Sequence, residues 1–180
     1  MAGGPVARPR ALRDVLAPGL DVVFVGINPS LASGLAGHHF ASPGNPFWRL
    51  LHSSGFTPDL LRPEDDARVL EHRLGLTNVC PKPTRTAAEL TPREYAAGVR
   101  DLLEKLEAIR PAVVALVGVT LARIVLPGSR EVGPGPRRAS IAGARVFVLP
   151  NPSGRNAAYP SFESKLEWFM RLRAFVGAGR

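Results

Sequence analysis

Three short apolar runs set the limits on what this chain can fold into: "VVFV" at 22–25, "AVVALV" at 112–117 and "RVFVL" at 145–149. They are mostly β-branched or aromatic, without the alternation of a strand that has one wet face. Such runs belong to strands covered on both sides. Helical patterns lie between them. The clearest is "TPREYAAGVRDLLEKLEAI" at 91–109. There Thr91 stands at the cap, Pro92 at the first position and Glu94 at the capping-box spacing. Tyr95, Val99, Leu102, Leu103, Leu106 and Ile109 repeat with helical period. Further helices are expected over 46–54, 63–74, 119–127 and 161–176, and an extended segment over 76–80. Residues 127–139 read as a glycine-proline loop carrying Arg130, Arg137 and Arg138. Strands alternating with helices over one domain length predict a three-layer α/β/α sandwich with a central, mainly parallel sheet. Residues 1–10 read as a flexible basic arm and 11–180 as one domain. In such a sheet the ligand crevice lies beyond the carboxyl ends of the strands.

The formal net charge of the 180 residues is +8, which favours a polyanionic partner, nucleic acid before an acidic membrane surface. Cys80 is the only cysteine, so an intramolecular disulfide and a four-cysteine iron–sulfur site are both excluded. His38, His39, His52 and His72 have no zinc-motif spacing, and no metal or cofactor is expected. No apolar stretch approaches the roughly 20 residues of a membrane span. A soluble, cytoplasmic, bacterial-type protein with no membrane role is the expectation, acting as a monomer.

Two strands end in an asparagine–proline turn, "VGINPS" and "VLPNPSG". Asn-Pro is an ordinary turn starter. A carboxamide held rigidly at a strand end can also accept a hydrogen bond from water and aim that water at a carbon. It cannot act as a strong base near neutral pH. That suits a reaction in which the leaving group departs first and water captures a cationic carbon, as in cleavage of a glycosidic bond.

"GINPS" at 26–30 together with "NPSG" at 151–154 resembles the mismatch-specific uracil-DNA glycosylase and thymine-DNA glycosylase family, a branch of the uracil-DNA glycosylase superfamily. The likeness extends through "HFASPGNPFWRLLHSSGFTP" and "RLGLTNVCPKPT". The resemblance implies that Asn28 orients the attacking water, and that Gly26 and Ile27 line the base pocket. It implies that Phe40 stacks on an extruded base, and that Ala32 and Ser33 face position 5 of the pyrimidine. It implies that Asn151, Pro152, Ser153 and Gly154, continuing through Arg155 and Asn156, form a wedge that enters the minor groove. Arg155 stands where bacterial relatives often carry an apolar plug, Ala157 where an arginine is expected, and Ser30 where the family has glycine. Asn45 reads as structural, and Phe47 and Trp48 as core. Lys82, Arg85, Arg130, Arg137 and Arg138 are candidates for backbone phosphate contacts. Glu89 is the candidate second catalytic carboxylate, with a helix-leading role as its ordinary alternative.

The function implied is a monofunctional glycosylase of base excision repair. It would hydrolyse the bond to uracil, or to thymine or another modified pyrimidine, in double-stranded DNA with G·U or related mismatches. The alternative is a non-catalytic module that binds mismatched or abasic DNA. A nucleotide-handling enzyme is disfavoured, because Gly26 to Ser30 is neither a G-x-G-x-x-G nor a Walker loop.

Overall fold

The structure, a computed structural model, describes residues 7–154 and 156–179. Five strands form one sheet in the order β2-β1-β3-β5-β4. They are β1 (Val22–Gly26), β2 (Leu74–Asn78), β3 (Val113–Val117), β4 (Gly135–Ile141) and β5 (Ala144–Leu149). β2, β1, β3 and β5 run parallel, and only β4 is antiparallel to its neighbour. The free edge of β2 is partly covered by the N-terminal segment, where Val15 bridges Leu76, which blunts an otherwise open row of donors and acceptors.

Among the described residues five α-helices accompany the sheet: α1 (Leu31–Ala36), α2 (Phe47–Ser53), α3 (Pro92–Ile109), α4 (Val119–Val125) and α5 (Phe162–Gly177). Alternate residues of the strands enter two separate cores. Val22, Phe24, Leu74, Leu76, Val113, Ala115 and Phe147 pack with α2 and α5 on one face. Val23, Val25, Val114, Leu116, Val146 and Val148 pack with α3 and α4 on the other. That is the three-layer arrangement the unbroken apolar runs require.

α3 starts as its sequence dictates. Thr91 Oγ1 accepts from the Glu94 amide at 3.2 Å, and Glu94 Oε2 accepts from the Thr91 amide at 2.8 Å. The inner face is Leu102 and Leu106, whereas Leu103 is exposed. Gly98 lets α3 approach the end of β2 so closely that a Cβ there would fall on the backbone carbonyl of Val79. Gly98→Ala gains about 1 kcal/mol of helix propensity. It must also displace a backbone group, a distortion that costs about 1–3 kcal/mol or more. The expected result is a net loss of up to about 2 kcal/mol, read as a lower urea midpoint at unchanged slope; a raised midpoint would show that the contact yields freely.

Four local expectations are corrected. The segment 63–74 is a 3-10 helix, Pro63–His72, not an α-helix. Its two buried positions, Asp66 and Val69, lie three residues apart, one turn of that helix. The extended segment placed at 76–80 begins two residues earlier, at Leu74. The loop at 127–139 contains the start of β4, an edge strand whose glycine, proline and arginine content hid it. Residues 31–36, given no element from the sequence, form α1, capped by Ser30, whose hydroxyl accepts from the Ser33 amide at 3.0 Å.

Candidate active site

After β1 the chain goes to β2 on one side, then crosses to β3 on the other. The carboxyl ends of β1 and β3 therefore border a switch point, where such sheets bind ligands. A cavity of about 610 Å³ opens there, lined by Gly26, Ile27 and Asn28 from the first turn, Asn78 from β2, Val117 from β3, and Asn151 from the turn after β5.

The first turn is an extension of the sheet. Val79 donates to the Gly26 carbonyl at 2.9 Å, Cys80 to Ile27 at 2.8 Å and Thr84 to Pro29 at 3.1 Å. Residues 26–30 are thus zipped to 79–84 beyond the end of the strands. Within that zipper the Asn28 amide nitrogen donates to the Lys82 carbonyl at 3.0 Å and to Thr84 Oγ1 at 2.6 Å. Thr84 spends its own proton on the Thr86 carbonyl at 2.8 Å, so towards Asn28 it accepts. A carbonyl can only accept, which fixes the amide against flipping. The Asn28 carboxamide oxygen has no hydrogen-bond partner among the described residues, on a residue that lines the cavity.

Asn78 was not singled out from the sequence. It pairs with Gly26 across β1 and β2. A Cβ on Gly26 would fall on its Oδ1 atom. Its carboxamide makes no hydrogen bond among the described residues while lining the cavity. Only the register reveals it: "LTNVC" looks like the end of any strand until Asn78 is set beside Gly26.

Phe40 forms another wall. Its ring stacks on Phe47, with centroids 3.7 Å apart and planes 13° from parallel. Its backbone is left-handed, φ 53°, a conformation uncommon for an aromatic residue. Of the two residues expected near pyrimidine position 5, Ser33 lines the cavity and Ala32 does not. Ser33 belongs to a hydroxyl cluster with Ser30 and Ser42, in which Ser30 and Ser42 are 2.7 Å apart and Ser30 and Ser33 are 3.1 Å apart.

Asn151, Pro152, Ser153 and Gly154 line the cavity, and Arg155 lies outside the described residues. Asn151 serves its own loop: its Oδ1 accepts from the Ser153 amide at 2.9 Å, and its carbonyl accepts from Asn156 Nδ2 at 3.0 Å. Asn156 faces an adjoining cavity of about 690 Å³, shared with Arg85 and Arg123. Arg137, a candidate phosphate contact, is instead buried, its guanidinium donating to the carbonyls of Gly133, Gly135 and Pro136. Glu89, the candidate second carboxylate, does not line the cavity. It caps a single 3-10 turn, accepting from the Arg85 and Thr86 amides at 3.0 Å each, which is its helix-leading alternative.

Lys82 Nζ lies 2.8 Å from Glu94 Oε1. That hydrogen bond, followed by those from Thr91, holds the Glu94 carboxyl at about 2 rather than the usual 4.5. A depressed folded value means that the pair's stabilisation is present above the ordinary carboxylate range and is lost as pH falls towards 2. Glu94 should therefore titrate near 2 by carboxyl NMR and move up in Lys82→Met; an unmoved titration would assign the shift to the cap alone. Among the described residues no group of three or more His, Cys, Asp or Glu side chains could hold a metal ion.

A family model described as the uracil DNA glycosylase superfamily matches residues 13–173. The chain belongs to that superfamily, whose members are glycosylase hydrolases. The fold is shared with the solution NMR structure of a candidate uracil DNA glycosylase from Methanosarcina acetivorans, at 21% identity and a TM-score of 0.61, covering 92% of this chain and 98% of that one.

Proposed function

We propose that the protein is a monofunctional DNA glycosylase that hydrolyses the bond between deoxyribose and uracil in double-stranded DNA, acting best where uracil is mispaired with guanine. The observation that carries this reading is the Asn28 carboxamide, its nitrogen spent on Lys82 and Thr84 and its oxygen without a partner among the described residues, on a residue that lines the cavity.

The extruded base would lie against the Phe40 ring. The Asn78 carboxamide complements the polar edge of uracil, accepting from N3–H and donating to O4. As the C1′–N1 bond lengthens, its electron pair leaves with the base and positive charge develops on the sugar. Water held by the Asn28 oxygen adds to C1′, loses a proton to solvent and leaves an abasic site; the base takes a proton at N1. An amide is adequate because the cationic carbon needs a placed water more than a strong base.

Lysine chemistry has no support in the geometry. Lys82 is paired with Glu94, Lys105 with Asp14 at 2.7 Å, and Lys165 is buried against Pro160. None lines the cavity, so a Schiff base and strand cleavage are not expected. Preference for a mismatch follows from the lower cost of extruding a poorly paired base, with the loop from Asn151 filling the gap.

The test is single-turnover base release from duplexes carrying G·U, A·U and G·T, and from single-stranded uracil. Release fastest from G·U, with abasic but uncleaved product, is the expected result. Tight mismatch binding with no release from any substrate would replace this reading with a lesion-binding module.

A further inference from the structure

One wall of the cavity is held by a carboxylate that the proposed chemistry does not use. Asp66 sits in the 3-10 helix, nearly buried, outside the cavity lining. Its Oδ2 accepts from the backbone amide of His39 at 3.0 Å. Its Oδ1 lies 3.4 Å from His38 Nδ1, near enough for an ion pair when that ring is charged but off the hydrogen-bond line.

His39 is tied at two further points. Its carbonyl accepts from Trp48 Nε1 at 3.2 Å, and its Nε2 is 2.9 Å from the Arg13 carbonyl. A carbonyl cannot donate, so Nε2 carries the proton. Burial lowers the pKa of this ring, which keeps the neutral tautomer in place. On the other side of Phe40, the Ala41 amide donates to Ser33 Oγ at 3.0 Å. The peptides before and after Phe40 are thus both anchored, and between them Phe40 adopts its left-handed backbone. A strained residue persists when its surroundings over-determine it. A ten-residue 3-10 helix is itself unusually long, and Asp66 is one of its two buried residues, with Val69 one turn on.

We propose that Asp66 is a positioning residue for Phe40: by holding the His39 amide it sets the aromatic wall of the base cavity before a base arrives. It acts through the loop and touches neither substrate nor water. The functional part of this inference rests on the glycosylase reading; the structural part does not.

The experiment compares Asp66→Ala, Asp66→Asn and His38→Ala, with Asp66→Ala also placed in a Phe40→Ala background. Asparagine keeps an oxygen acceptor for the His39 amide, so Asp66→Asn should stay within about twofold of wild type in single-turnover release, and Asp66→Ala should fall about tenfold. His38→Ala leaves the His39 link intact and should also stay within about twofold. In the Phe40→Ala background Asp66→Ala should cost less than about twofold more, because the wall it positions is gone. Equal losses in both backgrounds, or an asparagine as poor as alanine, would overturn the proposal as a general folding defect. A His38→Ala loss as large as that of Asp66→Ala would overturn it in favour of the ion pair.

Hydrogen exchange at the His39 amide decides the structural part without any activity. It should be slow in wild type and Asp66→Asn, and fast in Asp66→Ala. Fast exchange in wild type overturns the clamp. If wild type releases no base while that amide is protected, the glycosylase reading fails and the clamp stands.

Discussion

Asn28→Ala lowers single-turnover uracil release from a G·U duplex by at least about a hundredfold, while duplex affinity changes little. The magnitude is that of losing a group that orients the nucleophile. The sharper expectation concerns what holds the amide. Thr84→Val removes the hydroxyl that accepts from Asn28 and donates to Thr86. One hydrogen bond of roughly 1 kcal/mol is about a factor of five to ten. Thr84→Val should therefore lose about that much, and much less than Asn28→Ala. If both variants retain wild-type rates, water is placed by another group, and the fixed amide is only a turn that closes the zipper.

Asn78→Ala is the second large effect. It removes an amide that lines the cavity with no partner among the described residues, so none of their polar groups is left unsatisfied and stability should hardly move. Two hydrogen bonds to the base, at roughly 1 kcal/mol each, correspond to about a thirtyfold loss in release. Gly26→Ala approaches the same result from the other side. Its Cβ would fall on Asn78 Oδ1, the mobile end of a side chain, so the amide rotates away at little cost to folding. Matching losses in the two variants, measured with unchanged denaturation midpoints, would establish Asn78 as the reader of the base. A fully active Gly26→Ala would mean that the amide's place in the cavity is incidental.

The buried strands were legible because both faces of the sheet are covered, leaving apolar runs with nothing to interrupt them. α3 was legible because Thr91, Pro92 and Glu94 begin it in sequence as they do in space. Asn28 could be named because glycine before it and proline after it mark a rigid strand exit. The missed features depend on pairing across distance. Asn78 needs the register with Gly26; the fixed Asn28 amide needs Lys82 and Thr84, more than fifty residues away. Asp66 is the third of three consecutive acids, Glu64, Asp65 and Asp66, and only the folded 3-10 helix shows that this one is buried. Arg137 looked like surface charge because nothing in "GPRR" announces an edge strand that folds its guanidinium back on three carbonyls.

The zipper between residues 26–30 and 79–84 makes one rigid beam of two segments far apart in the chain. Asn28 is carried on it, and Asn78 ends the strand that pairs with Gly26 where it begins, so the spacing between the group proposed to place water and the group proposed to meet the base is a backbone dimension, not a side-chain adjustment. A one-residue insertion between Val79 and Thr84 would take Lys82 and Thr84 away from the Asn28 amide while leaving Asn78 in register with Gly26. Divergence in what such a site accepts is then channelled into the parts hung beside the beam: the Phe40 loop with its serines, and the loop that begins at Asn151.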